Sequence, residues 1–175
     1  MKKLQLILIC LLYSAQAISQ RSNPDKIMQL TLPKGTERLS KQQYNEFSKQ
    51  FTKTFVGGYH TNLYKKDGLL IYYLNLSVPA KMKKNLESDQ RMIVSLLGQL
   101  KGTVVDTSKI ISINNNQFLI INFHEKDDWY IRFTSDYDRN NKSINGFIEY
   151  KKPDEEEAKQ YLQVLLKNMH FKNPS

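Results

Sequence analysis

The chain of 175 residues holds one cysteine, Cys10, one tryptophan, and only three histidines, His60, His124 and His170. Prolines number five and glycines seven. Each shortage excludes something. One cysteine forms no intramolecular disulfide and no thiolate metal cluster. Three dispersed histidines supply no His-Glu-x-x-His pair, which needs two imidazoles one helical turn apart. There is no Gly-x-Ser-x-Gly elbow, P-loop or Rossmann fingerprint. No Pro/Gly/Ser-rich stretch divides the chain and no internal repeat is visible, so one domain is expected.

Arginine is also scarce. Lysine and arginine total 26 against 17 acidic residues, a net charge of +9, yet only Arg21, Arg38, Arg91, Arg132 and Arg139 are arginine. Phosphate recognition favours arginine forks over lysine. The lysines are scattered, at Lys65-Lys66, Lys81/Lys83/Lys84 and Lys151-Lys152. The charge reads as a solvated surface, and no nucleic-acid partner is expected.

What is present begins with "MKKLQLILICLLYSAQA". Lys2 and Lys3 form a basic start, and Leu4 to Leu12 is an apolar run too short to span a bilayer. Ala15 and Ala17 are the small residues that signal peptidase reads. The expectation is a signal peptide over residues 1–17, cleavage after Ala17, and a periplasmic or secreted mature protein without a transmembrane helix. Ile9 before Cys10 argues against lipid attachment. A loose lead over 18–26 and a single domain over 27–173 follow. Without disulfides the core alone must hold it, and a domain of about 150 residues buries about 68–70% of its unfolded surface.

Pattern then places elements. Lys26–Leu32 alternates and stops at Pro33 and Gly35, as a strand does. Ser40 and Gln43 form a capping box, with Leu39 stapled onto Tyr44. The stripe Tyr44, Phe47, Phe51, Phe55 predicts one helix reaching Gly57-Gly58. Asp67-Gly68 turns a hairpin. Pro79 opens a helix over Ala80–Leu97 with stripe Met82, Leu86, Ile93, Leu97, stopped by Gly98. A meander follows, with turns at Asn114-Asn115-Asn116, "EKDD" and "YDRNNK", because short connections demand antiparallel neighbours. Pro153 at the first helical position opens a last helix. Its acidic first turn runs from Asp154 to Glu157, and Lys167 and His170 lie at its end. Ala158, Tyr161, Leu162, Leu165 and Met169 form its buried face.

Two acidic stretches resemble chemistry. "HEKDD" has Asp128 where a zinc motif needs its second histidine, and alternation on both sides makes it a solvent-exposed hairpin tip. Leu119, Ile121 and Phe123 are expected on one face with Trp129, Ile131 and Phe133 beside them. Asn122, His124, Arg132 and Thr134 fall on the other. "DYDRNN" opens like a calcium loop but has Asn141 where Gly is required and Phe147 where Glu is required. No metal, no cofactor and no catalytic residue is assigned.

The element order resembles the PsbP-like fold, named for a photosystem extrinsic subunit and shared with the Mog proteins that bind the small GTPase Ran. "IMQLTLPKGTERLS" looks like its opening strand, "FLIINFHEKDDWYIRF" is similar to its central hairpin, and "INGFIEYKKPDEEEAKQYLQVLLKNMHFK" looks like its closing strand, helix and tail. Thr36 stands where the family commonly has Trp. The resemblance implies an α+β protein, an antiparallel meander flanked by about three helices in an αβα sandwich, used for binding or assembly. The functional expectation is a non-enzymatic, exported protein-binding module with a protein partner in the bacterial envelope. The alternative is a small-ligand or anionic-glycan binding domain using Tyr59, Tyr64, Lys65 and Lys66, and the third reading is a hydrolase.

Overall fold

The computed structural model describes residues 28–77, 85–137 and 142–171. The leader with Ala15 and Ala17, the lead over 18–26, the helix start at Pro79 and Ala80 with Met82, and residues 138–141 of "DYDRNN" lie outside them.

The strands are β1 (Met28–Leu30), β2 (Glu37–Arg38), β3 (Leu63–Lys66), β4 (Leu69–Ser77), β5 (Thr103–Ile113), β6 (Asn116–Glu125), β7 (Asp128–Ser135), β8 (Lys142–Lys151) and β9 (Met169–Phe171). The helices are α1 (Lys41–Phe47), α2 (Leu86–Gly98) and α3 (Glu155–Lys167). Seven antiparallel strands form one sheet in the order β2-β3-β4-β8-β7-β6-β5, and β1 pairs with β9 in a second small sheet. The fold is α+β, as expected, with helices on both faces. α3 buries Ala158, Tyr161, Leu165 and Leu166 against Ile71, Ile120, Ile131, Phe133 and Ile148 on one face. On the other, α2 packs Leu86, Ile93 and Leu97 over Leu119, Ile121 and Phe123, while Leu39, Tyr44, Phe51 and Val56 cover Leu63 and Leu70.

The turns explain the meander. Asn114 and Asn115 both take positive φ, 51° and 63°, which asparagine tolerates better than most residues, so a two-residue loop joins Ile113 to its partner Asn116. Lys126, at φ 57°, does the same between Glu125 and Asp128. That two-residue loop corrects the expected faces. Leu119, Ile121 and Phe123 stand opposite Thr134, Arg132 and Tyr130, while Trp129, Ile131 and Phe133 stand opposite His124, Asn122 and Ile120. A one-residue slip in register exchanges every face. Both faces are covered here, so alternation alone does not reveal which is correct. "EKDD" is also no exposed tip throughout, because Asp128 is 1% exposed.

Two helices are shorter than their stripes predict. The capping box forms, with Gln43 N–H donating to Ser40 Oγ at 3.3 Å and Ser40 N–H to Gln43 Oε1 at 2.9 Å. Yet α1 gives way to a 3₁₀ turn at Ser48–Gln50. Phe51 and Phe55 therefore leave it. Sheet side chains take the backbone groups a longer helix would use. Thr52 N–H donates to Asp128 Oδ2 (2.8 Å), and Tyr130 Oη donates to Lys53 O (2.9 Å). Phe55 and Val56 N–H both donate to Glu149 Oε1 (2.9 and 3.3 Å). Buried backbone groups need partners, and here tertiary acceptors outcompete helical ones. α3 ends at Lys167, and Met169–Phe171 continues as β9 rather than as helix. Pro153 lies in a preceding 3₁₀ turn, Lys152–Asp154, not at the first α-helical position. α2 carries Asn85 as its N-cap, whose Oδ1 accepts from Ser88 N–H at 2.8 Å, and Gly98 is its last residue.

Gly146 answers a packing need. A Cβ there would overlap the Phe133 ring and lie 2.7 Å from Tyr72 O. Gly146→Ala is expected to destabilise by about 1–3 kcal/mol through overpacking. A urea midpoint unchanged from wild type would contradict this.

Candidate functional site

Antiparallel register lines up side chains across the face that carries α1 and α2. One row runs Leu63, Tyr72, Phe147, Arg132, Ile121. Its ends are covered, Leu63 beneath the α1 cluster and Ile121 beneath α2. Tyr72, Phe147 and Arg132 between them are only half-buried. The adjacent row, Leu70, Glu149, Tyr130 and Phe123, is roofed by segment 51–56 through the bonds above. On the other side, Thr134 Oγ1 donates to Asn145 Oδ1 at 3.1 Å. Between the two clusters the sheet face thus presents a half-buried strip of two aromatic rings and one guanidinium. The Phe55 ring stacks 5.8 Å from Phe147, and the His60 ring lies 5.3 Å from Tyr72.

Arg132 is the unusual member. Its guanidinium rests 5.3 Å from the Phe147 ring centre. Among the described residues it makes no hydrogen bond or ion pair, and its Nε is shut off from solvent without a partner. Burial pulls its pKa down to about 10, opposed by the charge of nearby Asp89, so it remains a cation at neutral pH. Asp89 is itself buried on α2 and accepts from Tyr137 Oη at 2.5 Å. Burial, followed by that hydrogen bond, raises the Tyr137 phenol well above its ordinary value. Burial also pushes Tyr72 up to about 12. Arg132 stays charged and the Tyr72 and Tyr137 phenols stay neutral near pH 7. The strip offers charge and aromatic surface, not acid–base chemistry.

No protein-family model matches the chain, and no curated protein does. Among solved structures, the cyanobacterial PsbP (CyanoP) of Synechocystis superposes with a TM-score of 0.54 over 86% of this chain and 90% of that one, at 5% identity. The fold is PsbP-like. At that identity the likeness is one of fold alone. Protein PA94 of Pseudomonas aeruginosa also matches, with a TM-score of 0.45 over 61% of this chain and 75% of that one, at 9% identity.

The PsbP-like sheet divides the four residues singled out from sequence between its faces. Tyr64 and Lys66 lie on the α3 face. Tyr64 stacks on Tyr73 with ring centres 5.4 Å apart and hydroxyls 3.0 Å apart, and Lys66 pairs with Glu157 of α3 and with Asp67. Lys65 points to the other face, 3.2 Å from Glu37. It lines a shallow depression of about 390 Å³ with Leu39, Gln42, Gln43, Glu46 and Phe47. Tyr59 is exposed, its ring 6.3 Å from that of Tyr44. Sequence reasoning places Arg132 with Asn122, His124 and Thr134 on the face opposite Trp129, Ile131 and Phe133 and gives it no role. The available signal was a lone cation inside the apolar run "WYIRF".

His124 belongs to a separate cluster. A bulge in β5 between Val105 and Thr107 leaves Asp106 out of the pairing, and its Oδ2 lies 3.0 Å from His124 Nδ1. The His124 ring stacks 4.4 Å from Trp129, and Lys152 Nζ lies 3.7 Å over the same indole. Among the described residues no group of three or more His, Cys, Asp or Glu is placed to hold a metal ion, and no helix is long and apolar enough to cross a membrane. His124→Ala is expected to change stability by about 1 kcal/mol or less, as for other partly exposed side-chain contacts. Thermal melts with and without zinc check this, and a zinc-dependent shift lost in the variant would contradict it.

Proposed function

We propose that the protein is an exported, non-enzymatic protein-binding or assembly module of the bacterial envelope. One observation carries the reading. The helical layer leaves Tyr72, Phe147 and Arg132 half-buried rather than covering them. Tyrosine and arginine are enriched among the residues that dominate protein interfaces, where they sit in desolvated centres with a polar surround. The basic, apolar start of the chain with Ala15 and Ala17 supports export. Affinity capture from envelope extract, with the purified protein as bait, tests the reading. One saturable partner is expected, and Phe147→Ala should weaken it at least tenfold, with far-UV circular dichroism showing a folded protein whose melting temperature is lowered by loss of the Phe55 contact. Turnover of a peptide, ester, phosphate or glycoside substrate, abolished by one substitution, would overturn it. Intact mass should show a chain starting at Ile18 without lipid on Cys10.

The depression beside Lys65 favours a second reading, a small polar ligand held by Gln42 and Gln43. A polyanion fits less well, because Lys65 and Lys66 already face Glu37 and Glu157. Lys65→Met abolishing binding, with Phe147→Ala neutral, would select this alternative.

A further inference from the structure

Arg132 lacks an acceptor where one is expected. Buried charges are ordinarily paired, and an unpartnered buried donor costs the desolvation of that group. The neighbouring acid does not fill the gap. Asp89 is engaged by the Tyr137 hydroxyl and makes no ion pair with Arg132, although its charge acts through space. Phe147 supports the guanidinium by a cation–π contact, which occupies a flat face and leaves the in-plane N–H donors of the terminal nitrogens open. Beside the cation lies the aromatic surface of Tyr72 and Phe147, which are cross-strand partners.

We propose that this half-buried strip takes an acidic–aromatic segment of a protein partner. The partner's Asp or Glu accepts from the terminal nitrogens of Arg132, while an adjoining aromatic or aliphatic side chain lies against Tyr72 and Phe147. The inference rests on the protein-binding reading above and names the chemistry of the partner at that site. Charge complementarity selects this occupant. A cationic segment would meet Arg132, and a purely apolar one would leave the guanidinium unpaired in a drier environment. The net charge, +9 for the full chain and +7 once Lys2 and Lys3 leave with the leader, adds long-range attraction for acidic partners. Asp89 sets a limit, because its negative charge disfavours more than one carboxylate.

The test is selection of a displayed random decapeptide library on the purified protein. Enriched peptides should share one Asp or Glu within two residues of an aromatic or aliphatic side chain. Replacing that acid by its amide in a synthetic copy should weaken binding at least tenfold. Arg132→Gln should remove the difference between acid and amide, with its melting temperature showing a folded protein. Arg132→Lys should restore part of it, since lysine keeps charge but loses the planar fork. Raising salt should weaken the acid peptide more than the amide. Enriched peptides without an acid, or acid peptides that bind Arg132→Gln equally well, overturn this inference while leaving the protein-binding reading to the capture experiment. Displacement of the acid peptide by millimolar inorganic phosphate, with no binding advantage over phosphate alone, assigns the site to a small anion and also overturns it. An envelope partner captured through Lys65 and untouched by Phe147→Ala keeps the protein-binding reading, moves its surface away from Arg132, and overturns this inference.

Discussion

Asp128→Ala is expected to destabilise the protein by about 2–4 kcal/mol, through loss of a buried acceptor and of a charge partner together. Asp128 is 1% exposed and serves two donors from different parts of the chain. Its Oδ1 accepts from Lys151 Nζ at 2.5 Å, and its Oδ2 from Thr52 N–H at 2.8 Å. Alanine orphans both. The ammonium is left 5.8 Å from the Phe51 ring on a side chain that is 30% exposed, so hydration recovers part of the loss. That keeps the expected cost below the upper end for a wholly buried pair. Asp128→Asn retains an acceptor for Thr52 and should cost less than Ala. Urea denaturation of both variants, with limited proteolysis across residues 51–56, reads the effect. Equal stability of wild type and both variants would show that Asp128 does not hold the segment.

The same carboxylate marks the boundary of what the sequence discloses. Elements with local causes were legible. Ser40 and Gln43 make a capping box whatever lies elsewhere, and Asp67-Gly68 and Asn114-Asn115 turn the chain by their own backbone preferences. The α3 stripe of Ala158, Tyr161, Leu162 and Leu165 is buried as its period demands. Features with distant causes were not legible. The stripe Tyr44, Phe47, Phe51, Phe55 keeps perfect helical spacing, yet acceptors from β7 and β8, between 76 and 94 residues away, break it after α1. Register across "EKDD" failed for another reason. In a strand covered on both faces, Ile120 and Ile121 are both buried, so period two carries no information about which face is which. Arg132 was hidden by the same slip. Placed with Asn122, His124 and Thr134 on one polar face it needs no explanation, whereas between two covered rows it needs an acceptor.

Glu149 gives the folded state a dependence on pH of unusual direction. It is fully buried on β8 beside Asp128 and Tyr130. Desolvation, opposed by the Val56 and Phe55 N–H bonds, pushes its pKa up to about 8 from an ordinary 4.5. The folded protein therefore holds a proton that the unfolded chain releases, and folding is favoured more at low pH than at high pH by this group. The contribution is complete below pH 4.5, declines from there, and is gone above about 8. A shift of that size corresponds to an upper value of about 5 kcal/mol, and relaxation around the ionised group brings the expected loss to about 2–4 kcal/mol. Oε1 accepts both backbone bonds and Oε2 has no partner among the described residues, so burial sets the direction of the shift. Glu149→Gln keeps shape and acceptor and removes the titration. It should match wild type near pH 5 and exceed it at pH 9. Glu149→Leu should lose stability at every pH, because Phe55 and Val56 N–H are left unpaired. Urea midpoints from pH 5 to pH 9 decide the matter, and parallel profiles for wild type and the Gln variant would show that Glu149 does not titrate in the folded protein.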